Sequence, residues 1–200
     1  MRGLAILVCT LLLPFGAAAP VCAGSQAEFP RQLTVDAGGR THELELTGLA
    51  ERMFFIFRVY DMAHYIEASS MTSAALTPRS ILQDGPAKAI AIVFARTLGQ
   101  EQIRKEFDRS LRRNARAEWL EKAGTTIRRF TASIDRDATE GDRLIFYWLP
   151  DGRVLAEFNG QRVFTADEPA FAKLVWSIWF GRDPVCDVDD LLASSAVKRL

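Results

Sequence analysis

Arg52 and Tyr60 are the residues whose types best suit ligand chemistry, because both sit inside an apolar, aromatic stretch. That stretch runs from Leu44 to Glu67 and reads LELTGLAERMFFIFRVYDMAHYIE. A guanidinium offers a planar fork of donors that fits a carboxylate, and a phenol adds one more donor beside it. Placed together, the two would hold an anionic headgroup. In a competing reading Arg52 pairs with Glu51 or another surface acid, and Tyr60 is core.

The element that must position them is a strand. Phe54, Phe55, Ile56 and Phe57 stand side by side, followed by Val59, Tyr60, Tyr65 and Ile66, a β-branched and aromatic composition that favours strand over helix. Apolar side chains fall on both the even and the odd positions, which predicts a central strand covered on both faces. On a straight strand the eight steps from Arg52 to Tyr60 span roughly 27 Å, too far to share one carboxylate. The pair can converge only if the chain reverses between them, yet Met53-Phe54-Phe55 contains no Gly, Pro, Asn or Asp to announce a turn.

Other chemically capable residues point elsewhere. His42 and His64 are far apart, with no Cys or acid at ligand spacing and no nucleophile motif around them, so a surface or strand-edge role is expected. Asp187, Asp189 and Asp190 cluster near a helix start, where the helix dipole explains them better than calcium does. Trp148, Trp176 and Trp179 suit core packing, or alternatively the lining of a flat ligand's site. No nucleotide-binding glycine loop and no metal cluster is written in the sequence, so no cofactor is expected.

The chain has 200 residues with 25 basic and 25 acidic side chains, and a formal net charge of zero argues against nucleic acid as its main partner. The basic stretch Arg104 to Arg116 is interleaved with acids and reads as a solvated helix face. Arg2 precedes an apolar run from Leu4 to Phe15, and Val21 and Ala23 fit the small-residue positions of a signal-peptide cleavage site. The run is too short to span a bilayer comfortably, so residues 1–23 are read as a signal peptide and 24–200 as a single domain with no stable membrane span. Lipidation at Cys22 is the competing reading. Cleavage after Ala23 would remove Cys9 and Cys22 and leave Cys186 alone, a small, partly buried residue rather than a nucleophile.

Along the rest of the chain, Gln32 to Val35 and His42 to Leu46 flank the turn Asp36-Ala-Gly-Gly39 and read as a hairpin. Ala68 to Gly85 reads as a loop with a short helical turn at Thr77-Pro. Lys88 to Arg96 is a second strand apolar on both faces. A helix opens at Gly99 with Ile103, Phe107 and Leu111 on one stripe, and a second covers Ala123 to Ile134. Three strands follow, Arg143 to Trp148, Arg153 to Phe158 and Gln161 to Thr165. The last two are joined at Asn159-Gly160, the most specific turn signal present. Thr165-Ala-Asp-Glu168 has capping-box spacing before an apolar helix ending near Gly181, and Val188 to Val197 suits a last helix. This order describes an α+β domain, an antiparallel sheet with helices gathered mainly on one face.

Four segments in order, Leu46-Thr-Gly48, Ala50-Glu-Arg52, Arg58-Val-Tyr60 and Ala63-His-Tyr65-Ile66, resemble the bacterial chalcone isomerase-like family. Gly141 to Trp148, the Asn159-Gly160 hairpin and Phe171 to Pro184, with Ser177-Ile-Trp-Phe-Gly181, continue the likeness over most of the chain after the leader. The resemblance implies a strongly curved sheet, an open-faced β-sandwich with a ligand cleft between sheet and helices, and a turn between Arg52 and Tyr60. In fatty-acid-binding members an arginine and a tyrosine at these positions hold the ligand carboxylate. Phe54, Ile56, Phe57 and the facing helix stripe would then form the apolar wall. In the more distant plant chalcone isomerases, an arginine, a threonine, a helix tyrosine and an asparagine cyclise a phenolic chalcone. This chain keeps Arg52, places Tyr60 where the threonine would lie, and matches the asparagine with Asn114. It has no tyrosine in the helix from Gly99 to Arg116, and Phe107 cannot donate a hydrogen bond. The expectation is therefore an exported, periplasmic or secreted binder of a fatty acid or similar amphiphilic carboxylate, contacting it through Arg52, Tyr60 and Asn114. The alternative is an isomerase acting on a phenolic, chalcone-like ligand. Ligand identity and oligomeric state are not legible in the sequence.

Overall fold

The computed structural model describes residues 28–70 and 76–197. The expected leader, its cleavage position and Cys22 lie outside the described residues. Among the described residues seven strands form one antiparallel sheet in sequence order: β1 (Gln32–Ala37), β2 (Arg40–Phe54), β3 (Phe57–Glu67), β4 (Lys88–Phe94), β5 (Arg143–Trp148), β6 (Val154–Phe158) and β7 (Gln161–Ala166). After β3 a four-residue helix, α1 (Pro78–Ile81), is capped by Thr77, whose hydroxyl accepts from the Ser80 amide. Between β4 and β5 run α2 (Gln100–Asn114) and α3 (Ala117–Ser133), and α4 (Pro169–Phe180) and α5 (Val188–Val197) close the chain. No helix among the described residues is long and apolar enough to cross a membrane.

Alternation within the strands assigns the two faces. Met62 and Ile66 of β3, Ile90, Ile92 and Phe94 of β4, and Phe146 and Trp148 of β5 pack into one cluster with Phe171, Trp176 and Trp179 of α4. Ala63, Tyr65, Ala89, Ala91, Tyr147 and Leu155 form a second cluster on the opposite face with Val35 and Leu44, so β3 and β4 are indeed apolar on both sides. The curled sheet with its helices mainly on one face is the α+β architecture the sequence implies.

The stretch from Leu44 to Glu67 is not one central strand. It folds back on itself, Phe54 pairing with Phe57 around a two-residue turn at Phe55-Ile56. Phe55 adopts φ 53°, a region that glycine and asparagine enter far more easily, so the reversal is made without any residue that announces one. The tip projects past the layers, leaving Phe55 and Ile56 each 83% exposed. Two helix boundaries also differ from expectation. α3 starts at Ala117 rather than Ala123, and Thr165 lies within β7, so Glu168 caps α4 by accepting from the Ala170 amide.

Tight backbone approaches fix the helices to the sheet. A Cβ on Gly48 would lie 2.1 Å from the Asp190 carbonyl oxygen, so β2 and α5 can touch only because this position has no side chain. The neighbouring Thr47 hydroxyl bonds the Leu191 carbonyl at 2.8 Å and lies 2.7 Å from His64 Nδ1.

Candidate functional site

The hairpin that the sequence concealed is what assembles the site. In the β2–β3 register Arg52 stands directly opposite Tyr60, and a register shift follows between Arg52 and Met53. The eight-residue separation thus becomes a cross-strand pair, about 5 Å between Cα atoms. Both side chains line a cavity of about 230 Å³ between β2 to β7 on one side and α2, α3 and α4 on the other. Its interior is built from Ile92, Phe94, Phe107, Phe146 and Ile178, apolar residues supplied by the alternation of β4 and β5 and by the inward stripes of α2 and α4.

Within this apolar chamber the polar groups are few and oriented. The Trp179 indole N–H donates to the Tyr60 hydroxyl at 3.3 Å. With its oxygen accepting, the phenol's own proton is free to be donated. Burial raises the Tyr60 pKa well above the usual phenol range; the Trp179 hydrogen bond opposes this, nearby Cys186 adds to it and the Arg52 charge opposes it. Tyr60 therefore stays a neutral donor throughout the physiological range. Arg52 Nη1 donates to the Val185 carbonyl at 2.9 Å, which fixes the guanidinium while leaving its other N–H groups uncommitted by that bond. It is neither paired with Glu51 nor withdrawn to the surface. Cys186, beside this pair, is half-buried, and burial pushes its thiol up to about 12.

Asn114 is placed differently from Arg52 and Tyr60. Its amide nitrogen donates to the Asp183 carbonyl at 2.9 Å and to the Ser110 carbonyl at 3.2 Å, and its carbonyl accepts from the Asp183 amide at 2.7 Å. It lies outside the cavity lining, and its side chain is used to hold the loop after α4 against the end of α2. Gly181 makes room for it, since a Cβ there would stand 2.7 Å from Asn114 Oδ1. The structure thus brings two of the three anticipated residues together and gives the third a joining role.

The expected apolar wall is corrected as well. Phe54 lines the cavity, but Ile56 and Phe57 do not, because the turn carries them beyond its mouth. Phe107 of α2 faces the cavity, where it contributes an apolar ring. The tryptophans divide: Trp148 and Trp176 are core, and Trp179 both borders the cavity and partners Tyr60. Sequence reasoning missed that partnership and also missed Arg96. Arg96 shares parity with Ile90, Ile92 and Phe94, which was the available signal that it faces the same side.

The histidines are not at the surface. His42 is buried and bonded to Glu67 at 3.1 Å, while His64 is wholly enclosed against Phe180, a face its even position in β3 shares with Met62 and Ile66. Burial first, and then the charge of Lys88, holds the His64 imidazole neutral with a pKa of about 3. Among the described residues no cluster of three or more His, Cys, Asp or Glu is placed to hold a metal ion.

Comparison with known proteins agrees with this architecture. The crystal structure of a fatty-acid binding protein from Arabidopsis thaliana superposes with a TM-score of 0.59, covering 82% of this chain and 98% of that one at 14% identity. No curated protein matches the sequence. The family model described as chalcone isomerase-like matches residues 23–192. With that match over most of its length, and with the curled seven-stranded sheet beneath its helices, the chain belongs to the chalcone isomerase-like family.

Proposed function

We propose that this protein is an exported, non-catalytic binder of a fatty acid or similar amphiphilic carboxylate. The observation that carries the reading is the cross-strand placement of Arg52 and Tyr60 on the wall of an apolar cavity between sheet and helices. The carboxylate would take the uncommitted guanidinium N–H groups and the free phenol proton, two charge-assisted bonds to a fixed platform. The alkyl chain would lie against Ile92, Phe94, Phe107, Phe146 and Ile178, in the mostly apolar setting usual for small-ligand sites. A volume of about 230 Å³ lies below the roughly 300 Å³ at which such sites commonly begin, which suits a short or medium chain. The structural neighbour's own description as a fatty-acid binding protein supports the ligand class, and the leader-like segment at residues 1–23 supports export to the periplasm or beyond.

Extraction and mass spectrometry of natively purified protein test the reading. A co-purifying fatty acid, or micromolar affinity for one that falls at least about tenfold in Arg52→Ala, is expected from the loss of a charged hydrogen-bond donor. An empty protein with no fatty-acid affinity in either form would refute it.

A further inference from the structure

The turn that brings Arg52 and Tyr60 together is built from residues that neither folding nor solubility would select. Phe54, Phe55, Ile56 and Phe57 form a continuous apolar tip, with Phe55 and Ile56 at 83% exposure and Phe54 and Phe57 more than half exposed. Phe55 holds its positive φ with no side-chain burial in return, where a glycine would fit without strain. An unfavourable conformation kept at an exposed position points to use by something outside the chain.

The surroundings identify the chemistry of that partner. From Arg52 to Tyr60 the hairpin carries two arginines and no acid. Arg96 adds a third guanidinium, stacked over the Phe57 ring at 5.2 Å. Arg58 is met by Asp61 at 3.5 Å, and the acids that line the cavity are matched by their own arginines, Glu106 by Arg109 and Asp135 by Arg136, both at 2.9 Å. An aromatic and aliphatic tip backed by cations is the pattern that inserts at the boundary between acyl chains and anionic headgroups. Phe54 belongs to the tip and also lines the cavity, so a surface that covers the tip also meets the cavity mouth.

We infer that the β2–β3 hairpin tip is a docking element for an anionic lipid bilayer, inserting Phe55 and Ile56 and setting the cavity mouth, with Arg52 and Arg96, against the headgroups. Exchange of an amphiphile between bilayer and cavity, which rests on the proposed function above, would follow from that placement.

Flotation of the purified chain with ligand-free vesicles, either phosphatidylcholine alone or phosphatidylcholine mixed with phosphatidylglycerol, tests the docking without reference to the cavity. The wild type should bind the mixed vesicles, and less so at raised salt. Phe55→Gly combined with Ile56→Ser should lower that binding at least about tenfold, because two large apolar side chains leave the bilayer. The same variant should keep its Tm, or gain in it as the strained φ is relieved, and should keep fatty-acid affinity in solution. Failure of the wild type to float, or equal flotation of the variant, would overturn the inference. So would a fall in Tm of more than about 5 °C, which would make the tip a packing element. A wild-type dimer that the variant turns into a monomer would overturn it too, assigning the tip to a second copy of the chain. Loss of fatty-acid affinity alone would count against the cavity reading and leave the docking result standing.

Discussion

Two cationic groups face the helix layer of the same sheet, half-buried Arg52 at the end of β2 and fully buried Lys88 at the start of β4, and only one of them borders a site. Lys88 is 1% exposed, its ammonium donating to the Ile81 carbonyl at 2.8 Å and the Gln83 carbonyl at 2.7 Å and lying 4.0 Å from the centre of the Trp148 ring. Around it Trp148 packs on Trp176, and His64 is locked to Thr47, so the space is filled. Arg52 spends one bond on Val185 and turns towards a cavity. Burial of a charge therefore does not mark a ligand site by itself. What distinguishes the Arg52 end is leftover donor capacity beside empty apolar volume.

Removing each cation should separate these roles. Lys88→Ala should cost about 4 kcal/mol in a denaturant titration, since it leaves two carbonyl acceptors without their donor and a void under Trp148. Arg52→Ala should change stability by about 1 kcal/mol and act on ligand affinity instead. Equal stability losses would erase the distinction between the two ends. Gly48→Ala tests the sealed end from its other side and should cost about 3 kcal/mol, because the new Cβ must displace the α5 backbone; ligand affinity should survive in the folded fraction.

A pH titration sharpens the contrast further. Burial first, with Asp84 opposing and Lys173 assisting, lowers the Lys88 pKa from 10.5 to about 8. Above that value the folded state has released a proton that the unfolded chain still holds, so the Lys88 contribution to stability should rise between pH 8 and pH 10.5. The gain is bounded at about 3 kcal/mol by linkage. Groups whose pKa burial raises work the other way once their unfolded counterparts ionise, the Cys186 thiol from about pH 9 and the Tyr65 and Tyr147 phenols from about pH 10, so the rise should be clearest between pH 8 and pH 9. Lys88→Met should abolish it. A wild-type stability that falls steadily across this window would show that the ammonium is not held as described.

The sequence made some of this legible for identifiable reasons. The turn between β6 and β7 uses Asn159 and Gly160 at φ 49° and 77°, residues that enter that region readily, and Asn159 is further pinned by bonds to Asp142 and to the Arg143 amide. The β2–β3 turn places Phe55 at a similar φ with no such chemistry, so local composition suggested one long strand. Only the family likeness called for a reversal there. Lys88 and His64 were hidden for another reason. Each shares the parity of its buried apolar neighbours, but a polar residue in a strand is ordinarily assigned to an edge, and the partners that satisfy these two come from α1 and β2. Asn114 is expected as a ligand contact only from the family likeness, whereas its bonds to Asp183 depend on where the loop after α4 returns.

The central claim is that Arg52 and Tyr60 act together on a carboxylate. Calorimetric titration of a medium-chain fatty acid and of its methyl ester into wild type, Arg52→Gln, Tyr60→Phe and the double variant measures this directly. For the acid, each single change should weaken binding about tenfold, and the double change should weaken it by less than the product of the two, a coupling of about 1 kcal/mol. For the ester the changes should have little effect. Equal losses for acid and ester, or strictly independent effects of the two residues on the acid, would contradict the account.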